Sequence, residues 1–273
     1  MKTPYAHITD YCFINAPFAL LRAGLLELFL KNRLQPEIGL EGECLWDTEK
    51  DVFRETADTL KRHNLSCTLH APFSDLAPGG FDSRIRALSR EKLRLAFELI
   101  PIFNPRSIVC HLGFEENKHS YKLDTWLENA LETWKELLDI AEHYQTPVMF
   151  ENTYETSPMI HRTLFAELDS QVLGFCLDVG HLRAFADTPW QVWLDEDAVG
   201  SRLGQLHLHD NLGNSDDHLA IGRGNFNFDE LFDYLRDHRL SPLLTLEPHS
   251  EEDLWRSLAA IDAADLFRGI IRQ

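Results

Sequence analysis

Residues 147–152 read PVMFEN, residues 173–179 read LGFCLDV and residues 204–209 read GQLHLH. Each is a short apolar run, of strand rather than helix length, that closes on or near a carboxylate or an imidazole. Two longer amphipathic stretches, 160–169 and 190–198, separate them. Strand, helix, strand, helix, strand at this spacing is the pattern of βα units that build a parallel sheet.

Outward from this segment the alternation covers the chain. Strands are expected at 6–9, 37–41, 66–71, 107–112, 147–152, 173–179, 204–209 and 243–248. Helices are expected at 19–31, 48–63, 83–102, 123–143, 160–169, 190–198, 228–237 and 251–267. Acidic and cap-forming residues at 47–49 and 250–252 suit helix N-termini, where they satisfy free amides and complement the dipole. Eight units in 273 residues fit an α/β fold of the (β/α)8 TIM-barrel type, for which about 250 residues is typical. No Gly/Ser linker or low-complexity segment divides the chain, so one domain, 1–273, is expected. The connection 211–227, rich in Asn, Asp and Gly, is unusually long, and such loops in compact domains are often functional.

Composition narrows the function classes. A net charge of −18 opposes non-specific attraction to polyphosphate, which disfavours bulk DNA as a partner. The apolar run 18–30 is broken by Arg22 and Glu27 and is shorter than the ~20 residues a bilayer span needs. Residues 1–18 lack the uninterrupted apolar centre of a secretory leader, so a cytoplasmic protein is expected. Cys12, Cys44, Cys67, Cys110 and Cys176 show no paired spacing, and disulfides are not expected. Self-association is left open.

The strand ends carry the chemistry. His70, His111, Glu151, Asp178, His207 and Glu247 fall at the ends of the third to eighth strands, and a closed barrel brings those ends together at its top face. His181 follows the sixth strand closely, and Asp216 and His218 lie in the long loop. Imidazole and carboxylate together suit zinc and related divalent cations, Mn²⁺ among them, and nine such groups exceed the needs of one four-coordinate ion. A single His or Glu at a strand end is more often structural; six at matching ends with three more close behind point to metal. His7 and His209 either line the cavity or brace the ligands, and His249 belongs to a loop. His63, His143, His161 and His238 fall on helices or their ends and are expected at the surface. Phe73, Phe114, Tyr154, Trp46 and Trp190 serve either as cavity walls or as filling between helix and barrel. Glu41 and Glu43 follow the second strand, with Glu41 the better placed to reach the cavity.

The stretches LHAP (69–72), CHLG (110–113), FEN (150–152), LDVGH (177–181), LHLHD (206–210), DDH (216–218) with GRGN (222–225), and LEP (246–248) occur in an order that resembles the xylose-isomerase-like barrels, within them the endonuclease IV branch of AP endonucleases. That resemblance implies one zinc held by His70, His111 and Glu151. It implies a second held by Glu151, Asp178, His207 and Glu247, and a third held by His181, Asp216 and His218. Arg223 stands where the family usually has an acidic residue. It is read as a substrate-binding group for phosphate or carboxylate, or as the partner of a nearby Asp. No basic or aromatic runs match the DNA-gripping loops of that branch.

Two enzyme readings follow. The first is hydrolysis of a phosphoester or phosphodiester of a small or unusual substrate at a site of two or three ions. The alternative is isomerisation or epimerisation of a sugar or sugar phosphate at a single-metal core, with Glu151 and Glu247 moving a proton beside a carbonyl. A non-catalytic barrel would leave so complete a ligand set unexplained.

Overall fold

The computed structural model describes residues 5–270. Eight parallel strands close into a barrel in sequence order: β1 Cys12–Pro17, β2 Gln35–Gly39, β3 Thr68–His70, β4 Ile108–His111, β5 Val148–Glu151, β6 Leu173–Asp178, β7 Leu203–Leu208 and β8 Leu243–Leu246, with β8 returning to β1. The single-domain TIM barrel read from the sequence is the observed fold. No helix among the described residues is long and apolar enough to cross a membrane.

Strand periodicity explains how an acidic site sits inside an apolar molecule. Successive side chains point to opposite faces of a strand. In β5, Val148 and Phe150 point outward to the helices, where Phe150 meets Trp134 at 4.8 Å and stacks on Phe165. Met149 and Glu151 therefore point inward. The same parity buries Phe175 against Trp193 and turns Cys176 and Asp178 into the barrel. Val109, Met149 and Cys176 form a small apolar plug inside it, separate from the large core between strands and helices. Register completes the alignment: His111 is level with Glu151, and Asp178 with His207.

Seven of the eight expected strands overlap observed ones; the first does not. Ala6–Thr9 is a single helical turn, and β1 is Cys12–Pro17, whose Asn15 and Pro17 mimic loop composition. Cys12, Phe13, Ile14 and Ala16 are buried, as in a strand covered on both faces. Pro17 is its last residue, level with Gly39 of β2. The helix expected at 19–31 is interrupted within Leu21–Leu25, where Gly24 sits at φ 125°, and resumes as Leu26–Asn32. Ser250 caps its helix by accepting from the Asp253 amide, whereas residues 47–49 provide no side-chain cap.

Candidate functional site

The carboxyl ends of the strands surround a cavity of about 470 Å³. Glu151 lies at its floor, fully buried, and four imidazoles converge on it. Its Oε2 is 3.2 Å from His70 Nε2 and 3.0 Å from His111 Nε2; its Oε1 is 3.2 Å from both His181 Nδ1 and His207 Nδ1. Glu247 Oε1 approaches the same His207 Nδ1 at 3.2 Å and accepts from Asn15 Nδ2 at 3.4 Å. Asp178 Oδ1 accepts from the His181 amide at 2.6 Å, so one carboxylate ends β6 and caps the next helix.

Backbone carbonyls set the ring tautomers. His70 Nδ1 donates to Ala71 O, His181 Nδ1 to Asn152 O and His218 Nδ1 to Glu247 O, at 3.0 to 3.1 Å. The Nε2 atom of His70 faces Glu151, and those of His181 and His218 face Asp216 Oδ2 at 3.3 and 3.0 Å, so without a cation they donate to these carboxylates and on losing that proton would become metal donors. His209, His218 and His249 stack with centroids 3.9 and 4.1 Å apart.

Electrostatics disclose unmet charge. Burial raises the Glu151 carboxyl, yet the surrounding imidazoles outweigh it and hold the group well below the usual range. Burial lowers His70 and His218, but Glu151 and Glu37 push His70 up to about 9, and Asp216 and Glu247 push His218 up to about 9. Burial prevails at His111, which falls to about 4. The carboxylates thus hold protons on rings that a divalent cation would otherwise displace. His111 Nε2 and Asp216 Oδ1 are buried without a hydrogen-bond partner, as atoms awaiting a ligand would be.

Seven of the nine expected groups line this cavity, and the other two, Asp178 and His207, are buried directly beneath it against His181 and Glu151. His70, His111 and Glu151 can place one donor atom each within 4.8 Å of one another; so can Glu151, Asp178 and His207, and so can His181, Asp216 and His218. His209 is buried beside Asp178, 3.1 Å from its Oδ1, in the bracing position. Gly180 makes that approach feasible, because a Cβ there would lie 1.8 Å from His209 Cε1.

Two expected substrate contacts are elsewhere. His7 precedes β1, at the opposite end of the barrel, and pairs with Asp262 at 2.7 Å on the surface. Arg223 is exposed, does not line the cavity and makes no salt bridge among the described residues. The turn around it is organised by the backbone. Phe73, Tyr154 and Glu41 line the cavity; Glu43 and Trp46 do not, and Phe114 and Trp190 pack in the core. His161 is fully buried among Phe165, Phe175 and Trp193, rather than at the surface.

Sequence reading misses the residue that holds the long loop. Buried Asp210 accepts from the amides of Gly222 and Gly224 through Oδ2, and from those of Asn211 and Phe226 through Oδ1, at 2.9 to 3.1 Å. This cradle, with the Asp210–Leu219 bridge, holds Asp216 and His218 over the cavity. Asp210→Ala strands four amides and is expected to cost about 3 kcal/mol, measured by urea unfolding. An Asp that directly follows an LHLH-type strand end and precedes a Gly-x-Gly turn is the signal that could have found it.

A closed parallel barrel with a carboxylate and imidazole site at the carboxyl ends of its strands defines an enzyme of the TIM-barrel class. The chain belongs to the xylose isomerase-like TIM-barrel family, whose match spans residues 26–268. Uncharacterized protein MJ1311 of Methanocaldococcus jannaschii is 30% identical over 202 residues, 72% of this chain and 69% of that protein. A crystal structure described as a D-tagatose 3-epimerase-like protein superposes with a TM-score of 0.81 at 25% identity, covering 94% of this chain and 97% of that one. The TTHB071 protein of Thermus thermophilus, soaked with ZnCl2, shares the fold with a TM-score of 0.74 at 24% identity, covering 96% and 99%.

Proposed function

We propose that this protein is a divalent-metal-dependent isomerase or epimerase of a neutral, sugar-like hydroxycarbonyl compound. The lining of the cavity carries this reading: it holds Glu41, Glu151, Asp216, Glu247 and Glu251, and neither Lys nor Arg. A phosphorylated substrate or a DNA backbone would ordinarily be met by such cations. Beside the polar floor stand Leu20, Leu25, Leu28 and Phe29, a wall suited to the carbon face of a sugar rather than to a phosphodiester. The likeness to a D-tagatose 3-epimerase-like protein supports the same choice.

Glu151, Asp178, His207 and Glu247 would hold the cation, zinc or manganese by donor type, and the two further clusters have the donors to hold additional ions. When bound, the cation supplies Lewis acidity to the substrate's carbonyl and hydroxyl oxygens. Glu151 and Glu247 flank the same ring nitrogen from different sectors of the barrel. One removes a proton from the carbon beside the carbonyl, and the other delivers a proton to the same or the adjacent carbon. The near-complete burial of both carboxylates keeps bulk water from competing for it. Five free cysteines, four of them buried, suit a reducing cytoplasm.

Metal-loaded protein mixed with neutral ketoses in D₂O is expected to wash deuterium into the position beside the carbonyl, as followed by proton NMR, and a chelator should stop it. Phosphoester hydrolysis is the second reading, favoured by the His181, Asp216 and His218 cluster. Cleavage of a chromogenic phosphodiester without any sugar exchange would select it.

A further inference from the structure

Beneath the site lies a buried carboxylate that the proposed chemistry does not use. Glu37, inward on β2, is completely inaccessible to solvent. Its Oε2 accepts from Gln205 Nε2 at 2.6 Å, Thr68 Oγ1 at 2.8 Å and Thr245 Oγ1 at 3.1 Å. Ser107 Oγ donates to Gln205 Oε1 at 2.6 Å, which orients that amide with its NH₂ toward Glu37. Residues from β2, β3, β7 and β8, with Ser107 just ahead of β4, thus form one polar layer across the barrel. The other oxygen of Glu37 is different. Its Oε1 has no hydrogen-bond donor except the ring edge of His207, whose Nε2 stands 2.9 Å away.

We infer that Glu37 is a positioning residue that fixes the His207 ring with its proton on Nε2, leaving Nδ1 as a metal donor toward Glu151 and Glu247. The geometry allows little else. Three donors saturate Oε2, so the carboxylate cannot rotate without stranding them, and Oε1 is held against the imidazole. An imidazole that donates one ring nitrogen to a carboxylate presents a more basic second nitrogen in a fixed direction. His207 has that second nitrogen 3.2 Å from each of the two central glutamates. Glu37 could itself be counted with His207 and Glu247 as a possible ligand trio. Its three donors and its place on the far side of the ring assign it to bracing.

The Glu37→Gln substitution keeps shape and removes charge. The three donors around Oε2 would hold the amide oxygen there and turn the NH₂ toward His207 Nε2. That edge would then favour the tautomer protonated on Nδ1, with its proton aimed at the metal position. The inference rests on the metal reading above, and the experiment separates them.

Zinc affinity is measured by chelator competition for the wild type and Glu37→Gln, with ¹⁵N NMR of the histidine rings in the wild type. The expected results are zinc binding by the wild type, a ring protonated on Nε2 at His207, and affinity weakened by about 10–100-fold in the variant. Equal affinity in the two proteins would overturn the role of Glu37 while leaving the metal reading intact. Failure of the wild type to bind zinc would overturn both. Should the variant not fold, a His207 ring protonated on Nδ1 in the zinc-loaded wild type would by itself refute the proposal.

Discussion

Glu151→Gln is expected to reduce turnover on the order of 10⁴-fold, because it removes a proton-transferring group and a shared cation ligand together. It is also expected to lower the stability of the metal-free protein by about 3–5 kcal/mol, the cost of removing one partner from a buried charge pair. Four imidazoles face this carboxylate, and the three whose protons the surrounding carboxylates hold, His70, His181 and His207, would repel one another without it. Deuterium exchange measures the first effect and urea unfolding the second. Turnover within tenfold of the wild type would place the chemistry on other residues.

Metal removal should reverse the pH dependence of stability. In the metal-free protein His70 and His218 are raised to about 9 from an ordinary value of 6.5. A raised imidazole stabilises the fold fully below its unfolded pKa and ceases to do so as the pH passes the folded one. The metal-free protein should therefore lose stability between about pH 6.5 and 9, by about 3 kcal/mol for each of these rings at most. Metal loading requires deprotonated rings, so the loaded protein should gain over the same interval, and binding should release protons. Paired melting curves at pH 6.5 and 9 test the crossing. Parallel curves with and without metal would count against cation binding at these rings.

The parts of this molecule legible in its sequence are those whose meaning is local. Strand parity alone puts Glu151, Asp178 and His207 inside the barrel, because each follows an apolar residue that must face the helices. Ends of strands in a closed barrel converge by topology, which is why residues 177 positions apart, His70 and Glu247, can be placed in one cavity from the sequence. Glu37 has no such signal. Its donors come from positions 31, 168 and 208 residues away, and a lone Glu in a Gln-Pro-Glu-Ile-Gly run resembles a solvated edge. The Asn and Pro of the first strand disguise it as a loop, and the reading of His7 as a cavity residue fails with it.

His161 is a different kind of miss. His161, Leu164, Phe165 and Leu168 follow the i, i+3, i+4, i+7 pattern of a buried face, so helical phase already opposes a surface position. Arg223 suggests a substrate contact by residue type, although its turn is held through backbone amides by Asp210 and its side chain faces solvent. Residue type names the chemistry correctly only where topology also fixes direction. The lack of Lys and Arg in the cavity, on which the proposal of a sugar rather than a phosphoester rests, emerges only once the loops are placed.

The central claim is that the mouth of this barrel is a divalent-cation site. Anomalous diffraction from crystals of protein purified without chelators, collected on either side of the zinc and manganese edges, addresses it most directly. The account predicts an anomalous peak bounded by Glu151, Asp178, His207 and Glu247, with further peaks reserved for the clusters at His70 and His111 and at His181, Asp216 and His218. No peak at any of these positions, in crystals grown with excess zinc or manganese, would contradict it.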